Sequence, residues 1–152
     1  MGEEKPGVLE AERIRKQREN KANRAAQEAR EGEILKTDQP LFFKALVNDL
    51  AETVKNFNSE MHLAGNDTVT FEATSNTQIS IGKRKPFFLK KIMHREASDE
   101  VLIRTNKLEG NRAGEREEKW QFRVTNGELQ LNFRNVGESA KELLAEIADL
   151  YS

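Results

Sequence analysis

The strongest chemical signal in the chain runs from Lys83 to Arg95, where cations and apolar side chains are interleaved. The stretch reads Lys-Arg-Lys-Pro-Phe-Phe-Leu-Lys-Lys-Ile-Met-His-Arg, and the first acid to follow is Glu96. In an extended strand, alternate side chains point to opposite faces of the sheet. Part of this positive charge would therefore gather on one surface, where it could bind carboxylates or phosphates with a marked dependence on salt.

Pairing with the following strand would add a further cation to this surface. If Met93 faces Val101, Lys90 lies opposite Arg104, and like charges opposed across a ladder are destabilising. An anion bound between them would explain the arrangement, with Phe87 or Phe88, whichever faces outward, as an apolar anchor. The candidate partner-binding residues are Lys83, Arg84, Lys85, Phe88, Lys90, Lys91, Arg95 and Arg104.

A second interpretation of the same stretch is purely structural. The apolar residues of 86–94 do not alternate cleanly, which predicts a bulge or an edge strand with both faces partly covered. Lysines and a proline on an edge strand prevent sheets from pairing edge to edge. The sequence leaves binding and edge protection open as alternatives.

No residue pattern indicates a catalytic or metal centre. The chain has no cysteine, which excludes thiolate zinc sites and cysteine nucleophiles. His62 and His94 lie far apart without a ligand motif, and the glycines at 110 and 114 lack the Lys-Ser/Thr of a phosphate-binding loop. We therefore predict no cofactor and treat an enzyme, with a pocket between sheet and helices, as the third possibility.

The overall charge sets limits on the partner. Lys and Arg total 25 against 26 Asp and Glu, a net charge of -1, so no global field attracts nucleic acid or membranes. No stretch is apolar and long enough to predict a signal peptide or a membrane span. A cytoplasmic location is the default expectation, and the sequence assigns no oligomeric state.

Two regions differ in composition. Residues 1–36 are rich in Arg, Lys, Glu, Gln and Ala with few large apolar groups, which predicts a charged arm that is helical or disordered, with Gly32 as a stop. Residues 37–152 should form a single domain. It would open with an amphipathic helix over residues 39–62, capped by Asp38 with Pro40 in the first turn.

A hairpin over residues 119–134 gives the clearest structural prediction. Asn126-Gly127 suits a two-residue type I′ turn, because both residues tolerate positive φ. Folding about it places Phe122 opposite Leu131 and Trp120 opposite Phe133, which makes one face wholly apolar.

The remaining elements complete an α+β domain. Strands are expected near residues 69–73, 79–81, 86–94 and 101–105, with a polar loop over 108–117 and a last helix capped at Ser139. Short connections make the sheet an antiparallel meander of about six strands, with both helices on one face. The alternative is a strongly curved half-barrel, like that of pleckstrin-homology domains, capped by the C-terminal helix.

These features favour a non-enzymatic interaction module that uses the basic strand to bind an acidic protein or anionic surface. The alternative is a nucleic-acid-binding protein in which the arm and the strand contact phosphates together.

Overall fold

A computed structural model describes residues 5–109 and 111–152. Along the chain, one α-helix precedes six strands and a second α-helix follows them, with short 3₁₀ turns between some of these elements. The elements are α1 (Val8–Glu60), β1 (Thr70–Ser75), β2 (Gln78–Lys83), β3 (Phe88–Arg95), β4 (Glu100–Glu109), β5 (Arg112–Thr125), β6 (Glu128–Leu131) and α2 (Val136–Ala148).

The six strands form one antiparallel sheet in the order β1 to β6, and this sheet is curled into a half-barrel. The α+β meander is therefore confirmed, in the curved form that the sequence offered as its alternative. The inner face of the sheet carries the core. Both helices pack there: Phe42 of α1 contacts Phe122 of β5, and the backbone of α2 contacts Lys90 of β3.

The chain divides into two compact units, residues 1–33 and residues 34–152. Helix α1 begins at Val8 and continues through Gly32, so the predicted stop at Gly32 and the predicted cap at Asp38 are wrong. Strong helix formers flank Gly32, and a single glycine costs a helix only about 1 kcal/mol relative to alanine. Pro40 accordingly lies inside α1 rather than in its first turn.

In the second unit, the apolar stripe of α1 covers the inner face of the sheet as predicted. Leu46 and Leu50 are fully buried there. The predicted stripe extends too far, because α1 ends at Glu60 and Met61 is exposed. The buried residues of the helix are Gln39, Phe42, Phe43, Leu46, Leu50 and Val54.

The hairpin of β5 and β6 has the predicted register from Thr125–Glu128 to Phe122–Leu131, and both turn residues have positive φ. The predicted pairing of Trp120 with Phe133 is wrong. A tight turn pairs the backbones of Leu131 and Arg134, and Phe133 has a φ of 63°. Phe133 is consequently 64% exposed, while Trp120 is buried opposite Val101.

Two boundaries also differ from the prediction. The expected polar loop over 108–117 is mostly strand, because β4 and β5 pair out to Glu109 and Arg112. Helix α2 begins one turn early, at a capping box in which the Asn135 side chain accepts from the Glu138 N–H at 2.8 Å. Ser139, the predicted cap, is buried inside the helix.

Candidate interaction surface

Strand β3 lies in the interior of the sheet and is regular along its length. It pairs with β2 on one side and β4 on the other without a bulge, so the predicted edge or bulged strand is wrong. Alternate residues are buried on the inner face, from Phe88 to His94. Since β3 is no edge, its lysines do not serve as edge protection.

Phe88 is a core residue, only 1% exposed, and cannot anchor a partner as predicted. The exposed ring is that of Phe87, which precedes the strand.

Two of the predicted binding lysines also point inward, where they contact the C-terminal part of the chain. The Lys83 Nζ lies 3.8 Å from the centre of the Tyr151 ring. The Lys90 Nζ donates to the backbone oxygen of Leu143 at 3.4 Å. Lys83 and Lys90 are therefore structural contacts of α2 and the residues after it.

Burial and the surrounding acids act in opposite directions on the pKa of Lys90. Burial lowers the pKa of the Lys90 ammonium, and the carboxylates of Glu146 and Glu118 partly counter that effect. Burial also opposes ionisation of Glu146. A hydrogen bond from Arg116 and the nearby Lys90 charge outweigh that effect and lower the pKa of Glu146. Because Arg116 bonds Glu146 of α2 at 2.6 Å and Glu118 at 2.9 Å, these charges join α2 to the sheet.

The outer face of the sheet holds the cations that remain accessible. Lys91 lies opposite Arg104, and Met93 lies opposite Leu102, so the predicted pairing of Lys90 with Arg104 is wrong by one residue. The neighbouring strand places Lys119 opposite Leu102. We call the set Lys91, Met93, Arg95, Arg104 and Lys119 the outer basic face.

Acids partly neutralise the outer basic face. The Arg104 Nε lies 3.4 Å from Glu117 Oε2, and the Arg95 guanidinium lies 3.7 Å from Glu100. Both arginines keep nearly half of their side-chain surface exposed. Lys91 and Lys119 are also exposed. Glu72 of β1 and Glu115 of β5 point to the same side of the sheet, so positive charge exceeds negative charge only locally, around Lys91 and Lys119.

The site predicted from the sequence did not include Lys119 or Met93. Met93 is half-buried on this face, beside the fully buried Leu102. Strict alternation along β3 would have placed Met93 on the same face as Lys91, whereas the position of Lys119 follows only from the pairing of β4 with β5.

The turn between β2 and β3 contains the other predicted cations. Arg84 and Lys85 are exposed there, and Arg84 donates to the Asn66 side chain at 3.3 Å. The turn lies at the end of the strands, about three residues or 10 Å along β3 from Lys91. The structure thus separates the predicted site into an outer face, a turn and buried contacts.

A groove of about 440 Å³ lies between α1, the β1–β2 turn and the end of β3. Its walls include Leu41, Val47 and Ala73, with Lys44 and His94 as polar members. The His94 Nε2 is 2.9 Å from Gln39 Oε1, and Gln39 donates to Asp99 at 2.6 Å. The imidazole is thereby tied to an amide in the core, where it stacks on Phe43, and is a structural group.

Folding stability should depend on pH through His94. Burial lowers the pKa of His94, and Glu96 offsets this only in part. The unfolded chain therefore binds a proton more readily, and stability is fully present above about pH 6.5. It should fall as pH drops from there towards the lowered pKa of the folded state.

Urea unfolding of the wild type and His94→Gln, at several pH values between neutral and mildly acidic, measures how much His94 contributes to the pH dependence of stability. The wild type should lose more stability on acidification than His94→Gln does. His62→Gln is the matched control, because His62 is exposed, and it should follow the wild type. Parallel profiles for all three proteins would show that His94 does not carry the dependence.

Two further observations concern the described part of the chain. It holds no group of three or more His, Cys, Asp or Glu side chains placed to bind a metal ion. Neither of its α-helices is long and apolar enough to cross a membrane.

The described residues form an α+β half-barrel with exposed cations and acids on the outer face of its sheet. Comparison with protein-family models, with curated proteins and with solved structures found no match to this chain.

Proposed function

We propose that this chain is a non-enzymatic interaction module whose outer basic face binds an acidic segment of a partner protein. The observation that carries the proposal is the direct opposition of Lys91 and Arg104 across β3 and β4, both of them exposed. Like charges in this position destabilise a sheet. A carboxylate bound between the two side chains would offset that cost.

The acids within the face favour a protein partner over nucleic acid. Glu117 and Glu100 lie among the cations, each next to an arginine. A continuous row of phosphates would approach these two carboxylates, whereas a peptide with separated carboxylates can avoid them. The net charge of -1 also opposes general attraction of phosphate polymers.

An apolar contact accompanies the charges. Met93 lies between the cations of the face and is half-buried, with a flexible thioether that adapts to varied surfaces. It would add an apolar contact on the outer face, where the sequence predicts Phe87 or Phe88, whichever faces outward. Arg84 and Lys85 would extend the contact towards the end of the sheet, and we retain a cytoplasmic location as a prediction.

Reversing the two opposed cations should abolish most of the binding. We expect Lys91→Glu/Arg104→Glu to bind a short fluorescein-labelled peptide rich in Glu and Asp at least about tenfold more weakly, in fluorescence anisotropy, because several charge contacts become repulsive. Lys55→Glu/Lys141→Glu makes the same change in net charge at exposed helix positions. This control should bind nearly as the wild type does.

Equal affinity of the two double variants would contradict the proposal, as would a wild type that does not bind the peptide. A DNA duplex and anionic vesicles serve as competing probes. Tighter binding of the duplex than of the peptide, steeply weakened by salt, would favour the nucleic-acid alternative instead.

A further inference from the structure

The N-terminal part of α1, residues 8–33, is a long helix that is exposed almost throughout. Leu9 is 62% exposed and Ile14 is 42% exposed. Helices in proteins gain most of their stability from packing an apolar face against a neighbour. Residues 8–33 are the helical part of the charged arm, and from here on the arm means these residues.

Charge is distributed unevenly along the arm. Between residues 13 and 24 it carries cations and the single acid Glu19, whereas between 28 and 33 it carries acids and the single cation Arg30. Each part is thus complementary to the other. Two parallel copies would place cations beside cations, while two antiparallel copies would place the basic part of one beside the acidic part of the other.

We propose that the arm associates with the arm of a second copy of this chain as an antiparallel helix pair. A two-fold axis between Arg24 and Ala25 brings oppositely charged residues level with each other. Each pair forms twice by symmetry, and in each the two residues share a flank of the helix, given about 100° of rotation per residue. These pairs are Lys21 with Glu28 and Glu19 with Arg30, which are level, and Arg15 with Glu33, which are one residue, about 1.5 Å, out of level.

The side chains between the two flanks allow the helices to approach. Ala22, Ala25 and Ala29 form a narrow strip between them, and Arg18 on the same strip would lie level with Glu31, one residue from Gly32, in the other copy. A large side chain close to a glycine is sterically compatible. Exposed ion pairs contribute only about 0.2–1 kcal/mol each, so the pair should be weak and should dissociate with added salt.

Charge exchange tests this register in the full-length chain. Arg15→Glu/Lys21→Glu places acid against acid in the pair, and Glu28→Lys/Glu33→Arg places base against base. Each variant alone should weaken self-association at least about tenfold in analytical ultracentrifugation at low salt, because four contacts become repulsive. An equimolar mixture should associate as strongly as the wild type, because every contact is matched again.

The chain carrying all four substitutions should also self-associate. That result would show that each double variant fails because its charges are mismatched, and not because its helix is lost. Circular dichroism of each variant measures helix content directly. A wild type that stays monomeric at the highest soluble concentration would overturn the proposal. A mixture that associates no better than either variant alone would overturn it as well.

Discussion

Lys90→Glu should destabilise the domain by about 3–5 kcal/mol, whereas Lys91→Glu should leave its stability unchanged or raise it by up to about 1 kcal/mol, because the glutamate would face Arg104. The two lysines are adjacent in β3 but lie on opposite faces of the sheet. Lys90 is 5% exposed and reaches the backbone of α2, where a glutamate would face Glu146 and Glu118. Lys91 lies in solvent on the outer face.

Urea unfolding at neutral pH measures both changes. Lys90→Met is the informative third variant, because it removes the buried cation without adding an acid beside Glu146, which keeps its ion pair with Arg116. It should lose less stability than Lys90→Glu does. Equal losses for Lys90→Glu and Lys91→Glu would show that the two residues share an environment, which would contradict the register of β3.

This difference also determines how binding can be tested. A variant that reverses both Lys90 and Lys91 would combine a loss of charge with partial unfolding, so its failure to bind would be uninterpretable. Lys91 and Arg104 are both exposed and can be reversed together without burying charge.

Leu50→Ala should cost about 2–5 kcal/mol of stability, through lost burial and the cavity left behind. Leu50 is fully buried in the stripe of α1 that covers the sheet. Leu41→Ala is the matched control, since Leu41 occupies the same helix but is 63% exposed. It should change stability by less than about 0.5 kcal/mol.

Chemical denaturation followed by Trp120 fluorescence and by circular dichroism would measure both leucine variants. Similar destabilisation of the two would mean that α1 does not present this face to the core.

The parts of the fold that sequence predicts are those specified by local chemistry. Asn126-Gly127 sets the turn of the last hairpin, and the alternation of Phe122 and Val124 sets its register, so both were found. The hairpin ends early because Asn132 and Phe133 take positive φ in the turn that leads to α2. The residue types Asn and Phe at these two positions do not by themselves predict that turn.

The candidate site was harder to predict because it depends on distant contacts. Lys90 breaks the apolar alternation of β3, and its burial is possible only because a helix more than fifty residues later supplies a carbonyl and Glu146. Without that knowledge, β3 looks irregular and its lysines look equivalent. A register shift of one residue then decides that Lys91, not Lys90, faces Arg104.

The most direct test of the proposed function is to map the binding surface residue by residue. Two-dimensional ¹⁵N–¹H NMR spectra of the labelled chain, recorded during titration with the acidic peptide, report on each backbone amide. We expect the largest shift changes at Lys91, Arg104 and Lys119, and none of comparable size in α1 or around the groove beside His94. Changes centred on the arm or the groove, with the outer basic face unaffected, would contradict the proposal.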